Sequence, residues 1–330
     1  MQFAYSKHYF TETALLYIHD HCIGSRKISC LCLLDLSAAF DTIDHNILLT
    51  RLSSWFRIRG SSTAVNWFRS YLSSRCFRVK CNNNLSSLHT WLCGVPQGSV
   101  LGPLLFVMYT TPLSTIISSM SLNLHLYADD TQLFLSFHPS EFHSNIIHLQ
   151  NALRQISSWM TANLLTLNSS KTEFLLIGLK QQLSKINDSS LTTTHSARNL
   201  SFIFDEHLTF SDQISAHSKS CYYHIRELRC TVNAIATSIV HSKLDYCNSV
   251  YHDLPNYQLN RLQQIQNSLA RAVVKAPKSS HITPILKSPH WLKVNERIEY
   301  KLLSLNYKVL TTSQPSYLNN LISVQPVRSA

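Results

Sequence analysis

Two adjacent carboxylates set between two apolar runs constrain the fold of this chain more than any other feature. Asp129 and Asp130 lie between two apolar runs, in which Leu124 and Leu126 before them and Leu133 and Leu135 after them occupy alternate positions. Alternation with a period of two is typical of half-buried strands, and an Asp-Asp pair between them favours a turn. The stretch therefore predicts a β-hairpin with two acids at its tip.

Two interpretations of this acidic tip stay open on the stretch alone. Carboxylate oxygens are ligands that Mg²⁺ prefers, and Mg²⁺ usually takes only one or two of them from a protein site. The alternative is an ordinary acidic turn exposed to solvent. Other parts of the chain have to decide between the two.

A third acid, Asp35, lies near the end of the continuous apolar run Ile28–Leu36, whose length suits a buried strand. A carboxylate in such a place is costly unless it is paired or bound to a metal. An N-cap for the helix predicted at Ile43–Leu49 would be the alternative role, but Asp41 and Asp44 are closer to that helix and suit it better. Asp35 is therefore expected to need a cation.

Between these acids lies a segment rich in glycine and proline. Residues 94–103 contain three of the six glycines of the chain, together with Pro96 and Pro103. Glycine allows close approach of the backbone to a ligand, and proline restricts the chain beside it. An apolar helical run follows at Leu104–Tyr109. A glycine-rich turn that enters a helix is a place where a base, sugar or phosphate can contact main chain.

The charge of the chain points to a polyanionic partner. The net charge is +11 and the pI is about 9.3, which suggests nucleic acid or an anionic membrane surface. No acidic residue occurs from His45 through Tyr127, and residues 207–330 carry fourteen Lys or Arg against six Asp or Glu. A membrane surface is the weaker hypothesis, because the basic residues interleave with aromatic ones and form no polybasic run.

Within residues 51–80 basic and aromatic side chains alternate, a composition typical of single-strand binding. The residues are Arg51, Trp55, Phe56, Arg57, Arg59, Trp67, Phe68, Arg69, Tyr71, Arg75, Phe77, Arg78 and Lys80. The alternative is an amphipathic helix with a solvated basic face and with Trp55, Val65, Phe68 and Leu72 turned inward.

Composition and length bound the remaining possibilities. The 330 residues are 45% apolar and 14% charged, which predicts two or three packed regions around a real core. No apolar run reaches the roughly 18 residues of a membrane span, and the N-terminus lacks a signal-peptide pattern. The nine cysteines form no CxxC pair, so buried free thiols in a reducing compartment, the nucleus or cytoplasm, are expected.

The remaining segments predict helices and short strands. Helices are expected at Thr11–Ile18, 141–165 and Val294–Leu310, strands at Glu173–Gly178 and Asn199–Phe204, and a loop at 180–196; residues 207–310 are expected to be mostly helical. Lys171 falls on a loop before the strand that begins at Glu173, where a solvated lysine is the ordinary interpretation.

Four motifs in order carry a family resemblance. They are Leu34-Asp35-Leu36-Ser37-Ala38-Ala39-Phe40-Asp41, Gly94-Val95-Pro96-Gln97-Gly98-Ser99-Val100-Leu101-Gly102-Pro103, Tyr127-Ala128-Asp129-Asp130, and Leu167-Asn168 with Lys171-Thr172. This set resembles the reverse transcriptase of non-LTR (LINE-type) retrotransposons, near the jockey-like and chicken-repeat-like groups. The segments His241–Asn248 and His290–Ile298 are similar to the part of those elements beyond the palm.

The resemblance implies an α+β right-hand polymerase with incomplete fingers. Its antiparallel-sheet palm, backed by helices, would span residues 28–206. Residues 1–27 would be a remnant of the fingers and palm entry, 207–310 a helical thumb-like region, and 311–330 a tail. The activity implied is RNA-directed DNA polymerisation, with an RNA template, a DNA primer and dNTPs as partners, no membrane, and no prediction of oligomeric state.

The resemblance also implies a role for each motif residue. Asp35, Asp129 and Asp130 would be catalytic and would bind two Mg²⁺, for which Mn²⁺ could substitute, with the carbonyl of Leu36 nearby. The nucleotide-binding set would be Phe40, which excludes ribonucleotides by size, with Gln97, Gly98 and Lys171. The primer grip would be Leu200, Ser201 and Phe202.

Some residues depart from the family pattern. Ser6 replaces an expected basic residue, Ser201 an expected glycine and Lys293 an expected proline. None of them is one of the three acids. They suggest a decaying genomic copy, and the alternative function is a catalytically dead remnant that only binds nucleic acid.

Overall fold

The computed structural model describes residues 4–23, 27–56, 62–186, 191–228 and 233–323. Within these ranges the helices are α1 (Thr11–Cys22), α2 (His45–Ser54), α3 (Ser62–Leu72), α4 (Gly102–Ser119), α5 (Phe142–Ala162), α6 (Lys180–Leu183), α7 (Ser211–Leu228), α8 (Asn233–Asp245), α9 (Asn256–Val273), α10 (Ile282–Lys287), α11 (Val294–Thr312) and α12 (Ser316–Asn319). None of the helices in the described ranges is long and apolar enough to cross a membrane.

The strands in the same ranges are mostly short. They are β1 (Ile28–Leu34), β2 (Leu36–Ser37), β3 (Cys76–Phe77), β4 (Lys80–Cys81), β5 (Asn84–Leu85), β6 (His89–Thr90), β7 (Asn123–Tyr127), β8 (Asp130–Phe137), β9 (Thr166–Leu167), β10 (Glu173–Ile177), β11 (Ser196–Asn199) and β12 (Phe202–Asp205). The main sheet has the order β10-β1-β8-β7, and the other strands form antiparallel pairs, β2 with β9, β3 with β6, β4 with β5 and β11 with β12. The predicted α+β class is confirmed.

The buried strand predicted at the start of the chain is present. All seven residues of β1 are buried, as expected for an inner strand covered on both faces. On β8 the run from Thr131 to Leu135 is buried as well, so both faces of that strand are covered, whereas the sequence predicted a half-buried strand.

Local signals place several helix boundaries correctly. Asp44 is the N-cap of α2, and its carboxylate accepts a hydrogen bond of 2.8 Å from the Ile47 N–H, which satisfies one of the free donors of the first turn. Pro103 lies in the first turn of α4, where its missing N–H costs nothing. The helices predicted at 141–165 and Val294–Leu310 correspond to α5 and α11.

Packing divides the chain into two units that do not follow the chain order. One comprises Met1–Lys7 and Leu31–Phe174, and the other comprises His8–Cys30 and Leu175–Ala330, so far as these ranges are described. The first holds α2 to α5 and the β7–β8 hairpin. The second holds α1 together with α6 to α12, and its helices confirm the mostly helical region predicted for residues 207–310.

One predicted strand is wrong in its form. Residues Asn199–Phe204 are not a single strand, because β11 and β12 pair as a hairpin with Asn199 opposite Phe202. The two residues between them, Leu200 and Ser201, have φ of 47° and 64°. Positive φ at both central positions is typical of a type I′ turn. A glycine at position 201 would relieve this backbone strain, which gives a physical reason for the glycine expected there.

The cysteine prediction holds only in part. Among the described cysteines none forms a disulfide; Cys22, Cys30, Cys32, Cys221 and Cys247 are buried, but Cys76, Cys81 and Cys93 are exposed. Burial raises the pKa of the Cys30 thiol to about 12, which makes that thiol inert. The three exposed thiols lie in or beside the β3–β6 region, where the strands have both faces in solvent.

Candidate active site

The predicted acidic hairpin tip is confirmed. β7 and β8 pair antiparallel with Tyr127 opposite Asp130, which leaves Ala128 and Asp129 as the two central residues of the turn. Ala128 has φ of 55°, and a positive φ at the first central position is expected of a type II′ hairpin turn. The tight turn holds the carboxylates of Asp129 and Asp130 next to each other.

The pairing of β2 with β9 brings Asp35 and Lys171 together. Leu36 lies opposite Leu167, and the Asn168 N–H donates to the Asp35 carbonyl at 2.9 Å. The chain then turns, and Lys171 Nζ lies 3.5 Å from Asp35 Oδ2. The cation that the sequence required for Asp35 is therefore Lys171, a residue 136 positions away in the chain.

Asp130 lies within the electrostatic field of all these charges. Burial, as the largest cause, together with the negative charges of Asp129 and Asp35 raises the pKa of the Asp130 carboxyl to about 6, while Lys171 acts in the opposite direction. Burial and like charges both disfavour the ionised form of a carboxyl. Three carboxylates from two segments thus share one neighbourhood with one lysine.

This set of donors matches a hard divalent cation in charge and type. The carboxylate oxygens are those that Mg²⁺ prefers, and the charges of Asp129 and Asp35 add to the effect of burial in raising the pKa of Asp130, against the opposing effect of Lys171. In the described part of the chain, however, no three His, Cys, Asp or Glu side chains are grouped closely enough to hold a metal ion. Asp35 is paired with Lys171 instead.

The glycine-rich turn is anchored to the segment that follows Asp35. Gly94 has φ of 83°, and a Cβ at this position would lie 2.7 Å from the Asp41 carbonyl oxygen. The Gly94 N–H donates to the Ile43 carbonyl at 2.7 Å, and His45 Nε2 donates to the Gly94 carbonyl at 2.8 Å. Only glycine fits this close approach of two backbones.

Gln97 and Gly98 are exposed at the outer part of the same turn. The Gln97 amide donates weakly to the Asp41 carboxylate, at 3.4 and 3.5 Å. Gly98 has φ of 76°, and a Cβ there would meet nothing within 4 Å. The space beside Gly98 is open, as a contact between main chain and ligand requires.

Phe40 connects the two motifs. Its carbonyl accepts the Val95 N–H at 2.9 Å, and its half-buried ring lies 4.7 Å from the Phe106 ring on α4. The ring is therefore held in place by packing, while part of it stays accessible.

Leu36 is the first residue of β2 and has a buried side chain. Its predicted contribution is a main-chain carbonyl.

The predicted primer-grip residues belong to the second unit. Leu200 and Ser201 form the β11–β12 turn and Phe202 begins β12 with its side chain buried. The Tyr246 hydroxyl donates to the Leu200 carbonyl at 2.5 Å. This bond holds the turn within its own unit.

Sequence reasoning misjudged Arg51. It was grouped with the single-strand-binding residues, but its side chain is buried, with its guanidinium 4.6 Å from the Tyr109 ring centroid and 5.2 Å from that of Trp159. It also donates to the Asn163 side chain. Arg51 on α2 thus packs against side chains of α4 and α5 and is not available to a ligand. Arg57 and Arg59 of the same group lie outside the described residues. Trp55, which only the alternative amphipathic-helix interpretation turned inward, is half exposed.

Two residues near the acids have no role predicted from the sequence: Tyr5, and Asn168, which appears there only as part of the fourth motif. Tyr5 lies close enough to Asp129 for the charge of that carboxylate to raise the pKa of Tyr5, after the larger effect of burial. Asn168 holds Asp35 by its N–H, and its carbonyl accepts the N–H groups of Lys171 and Thr172 at 3.1 and 3.0 Å. A tyrosine and an asparagine are common turn and surface residues, so only the fold identifies them.

Comparison with known proteins assigns the family. Residues 2–204 match the model of the family described as reverse transcriptase (RNA-dependent DNA polymerase). The chain is 27% identical over 291 residues to the probable RNA-directed DNA polymerase from transposon BS of Drosophila melanogaster. This match covers 80% of this chain and 31% of that protein. It is 26% identical over 325 residues to the RNA-directed DNA polymerase from mobile element jockey of Drosophila funebris, and this match covers 91% of this chain and 34% of that protein.

The chain thus spans about a third of the length of the curated relatives it matches. Among solved structures, a telomerase from Candida tropicalis in complex with a TWJ fragment of telomeric RNA aligns at a TM-score of 0.47 and 14% identity, over 92% of this chain and 50% of that one. The family model covers well over half of the chain, and the chain therefore belongs to the reverse transcriptase family, with RNA-directed DNA polymerases of non-LTR mobile elements as its relatives.

Proposed function

We propose that this chain is an RNA-directed DNA polymerase domain that extends a DNA primer on an RNA template by two-metal nucleotidyl transfer. The observation that supports it most directly is the shared neighbourhood of Asp35, Asp129, Asp130 and Lys171. Two segments bring acids to one place, and a third brings a lysine. An exposed acidic turn would not need this convergence.

Reverse transcriptases generally use divalent metal ions, and here Asp35, Asp129 and Asp130, with the Leu36 carbonyl, would hold two Mg²⁺ or Mn²⁺. Bound there, the ions would make the primer 3′-hydroxyl a better nucleophile and would offset the charge of the leaving pyrophosphate. The carboxylates would orient the reacting groups, because they determine where the divalent ions that contact those groups can bind. The Lys171 ammonium would exchange Asp35 for the pyrophosphate oxygens as negative charge develops on them.

The nucleotide would be positioned by the glycine-rich turn and the Phe40 ring. The open space beside Gly98 lets a template or dNTP contact main chain, and the exposed Gln97 amide can donate to it. Phe40, braced by Phe106, would exclude a ribose 2′-hydroxyl by size. Residues 28–206 are proposed as the palm and 207–310 as the thumb-like region, with Leu200, Ser201 and Phe202 as the primer grip.

Primer extension on a poly(rA)/oligo(dT) template with dTTP and Mg²⁺ tests the assignment. Asp130→Asn keeps the size of the side chain and removes its charge, so extension should fall at least about a hundredfold, as when other transition-state charge stabilisers are lost. The matched control is Asp253→Asn, because the Asp253 side chain is 87% exposed in the second unit. Equal extension by the unmodified protein and Asp130→Asn would show that the acids are assigned wrongly.

A second candidate function is nucleic-acid binding without catalysis. It is favoured by the pairing of Asp35 with Lys171 and by the lack of a closed three-acid group among the described residues. It predicts RNA binding that weakens steeply with salt, with no primer extension in Mg²⁺ or Mn²⁺. Extension that requires Asp130 would exclude it.

A further inference from the structure

Residues 75–91 form a β-hairpin with both faces in solvent, which is called the hairpin arm below. Cys76 pairs with Thr90 and Phe77 with His89 at its base, while Cys81 pairs with Asn84 at its tip. Nearly every residue from 76 to 90 is exposed. An isolated two-stranded hairpin is marginally stable in water. Packing in the protein core therefore does not explain which side chains the arm exposes.

The arm and the end of α3 carry two groups of aromatic side chains, one on each element. The rings of Trp67 and Tyr71 are stacked, with centroids 5.6 Å apart and planes 13° apart. The Arg75 guanidinium lies 4.3 Å from the centroid of the Tyr71 ring. On the arm itself, the Phe77 ring lies 5.9 Å from the Trp91 ring. Trp67 is 53% exposed and Phe77 46% exposed, so part of each ring is accessible to another flat group.

The charged residues in the segment that holds these aromatic side chains are all positive. Arg69, Arg75, Arg78 and Lys80 belong to the same segment, and no Asp or Glu occurs from His45 through Tyr127. Arg69, Arg78 and Lys80 are exposed. A surface that combines cations with accessible aromatic rings suits a phosphate backbone whose bases are not paired with another strand.

We propose that the hairpin arm, with Trp67 and Tyr71 at its foot, is a docking surface for single-stranded RNA. Bases stack on Trp67 and Phe77, and Arg78 and Lys80 neutralise phosphates. The choice of RNA rests on the proposed function, because the strand that a reverse transcriptase has to hold unpaired beyond its site is the template. The contacts are with ring faces and phosphates, so the surface accepts any base sequence.

Fluorescence anisotropy with a labelled oligo(U) strand, about 16 nucleotides long to cover the range of known single-strand sites, tests the docking on the full chain. Trp67→Ala/Phe77→Ala removes two stacking platforms and should weaken binding at least about tenfold. Arg78→Gln/Lys80→Gln should lower affinity and flatten the slope of log K against log salt by about 1.4. All these side chains are exposed, so circular dichroism should show unchanged folding.

The matched control is Leu85→Ala, which removes an exposed apolar side chain of the arm that is 59% accessible but offers no ring. It should leave RNA affinity unchanged. If Leu85→Ala weakens RNA binding as much as the aromatic double variant, stacking is not the mode of recognition. If the arm variants keep full RNA affinity but lose binding to phosphatidylserine vesicles, the arm is a membrane contact and the proposal is overturned.

Two native thiols of the arm give a second readout. Cys76 and Cys81 are exposed, so maleimide labelling followed by peptide mass spectrometry should be slowed at both positions by oligo(U). The protection should disappear in Trp67→Ala/Phe77→Ala. Labelling rates that ignore the RNA at a concentration where anisotropy shows saturation would place the RNA elsewhere.

Failure of this proposal is separable from failure of the proposed function. Asp130→Asn should lose extension and keep RNA affinity, whereas the arm variants should lose affinity and recover extension at saturating template. A protein that never extends a primer but binds RNA through the arm would refute only the polymerase. A protein that extends normally, with RNA affinity unaffected by the arm variants, would refute only the arm.

Discussion

At the scale of single residues, backbone conformation carries as much of the site as charge does. Gly94 and Gly98 both have positive φ, 83° and 76°, yet their surroundings differ. Gly94 lies against the backbone of Asp41 and couples the glycine-rich turn to the segment after Asp35. Gly98 lies in open space. One glycine therefore serves the packing of the site, and the other keeps main chain accessible.

Gly94→Ala should be far more damaging than Gly98→Ala. A Cβ at position 94 would lie 2.7 Å from the Asp41 carbonyl oxygen, so a backbone has to shift in addition to the cost of positive φ, about 1–2 kcal/mol. Gly98→Ala should cost only that second amount. Urea unfolding of both variants measures the difference in the free energy of unfolding. Equal losses would mean that the turn adapts and that the contact with Asp41 is not needed.

At the scale of elements, the β7–β8 hairpin rests on a buried polar pair. His125 and Gln132 are opposite each other across the strands, and both are buried. His125 Nδ1 and Gln132 Oε1 are 2.8 Å apart. Burial lowers the pKa of His125 to about 4, with a smaller opposing effect of the Gln132 hydrogen bond. The hairpin that holds Asp129 and Asp130 is thus built around a neutral imidazole.

The contribution of His125 to stability should fall as the pH is lowered from about 6.5 to about 4. In this window the unfolded chain protonates His125, whose ordinary pKa is about 6.5, while the folded chain resists protonation. The unfolded state then binds more protons, so acid favours unfolding. His125→Asn removes the titration and should reduce the slope of the unfolding free energy against pH by at most about 1.4 kcal/mol per pH unit.

Urea unfolding at a series of pH values gives this slope for both proteins. Above pH 7 the imidazole is neutral in either state, so the two curves should run parallel there. If the slopes below pH 6.5 are identical, His125 is protonated as easily in the folded chain as in the unfolded one.

At the scale of the whole molecule, the N-terminal helix belongs with the C-terminal half of the chain. α1 falls in the unit of His8–Cys30 and Leu175–Ala330. Its Glu12 carboxylate, 7% exposed, accepts the Ser249 hydroxyl at 2.6 Å and the Ser249 N–H at 3.2 Å. Lys301 Nζ on α11 lies 3.1 Å from the other oxygen. One buried acid therefore ties three distant parts of the chain together.

Glu12→Ala should destabilise this unit by about 3 kcal/mol, because it leaves the buried Ser249 hydroxyl and N–H without their acceptor. Lys301→Ala should cost less, because the Lys301 side chain is 37% exposed and water can replace it. Hydrogen exchange followed by mass spectrometry should show faster exchange in α1, in the segment around Ser249 and in α11 of Glu12→Ala. The β7–β8 peptides serve as an internal reference. No change in α11 would show that Glu12 does not hold that helix.

The amino-acid sequence by itself determined the elements whose signals are local. The buried strand at Ile28–Leu34, the hairpin with Asp129 and Asp130, the N-cap at Asp44 and the helices α5 and α11 follow from periodicity and turn chemistry within a few residues. The family, too, is legible in the order of four short motifs. These signals need no knowledge of which distant segments meet.

Only the tertiary structure decided which side chains share a neighbourhood. Lys171 reaches Asp35 because β2 pairs with β9, and Arg51 is buried because α2 meets the rings of Tyr109 and Trp159. The turn at Leu200 and Ser201 could not be distinguished from a strand, since Leu200 is not a usual turn former and a single serine is a weak turn signal. Contacts between distant segments depend on packing and on backbone pairing. Local periodicity therefore does not predict them.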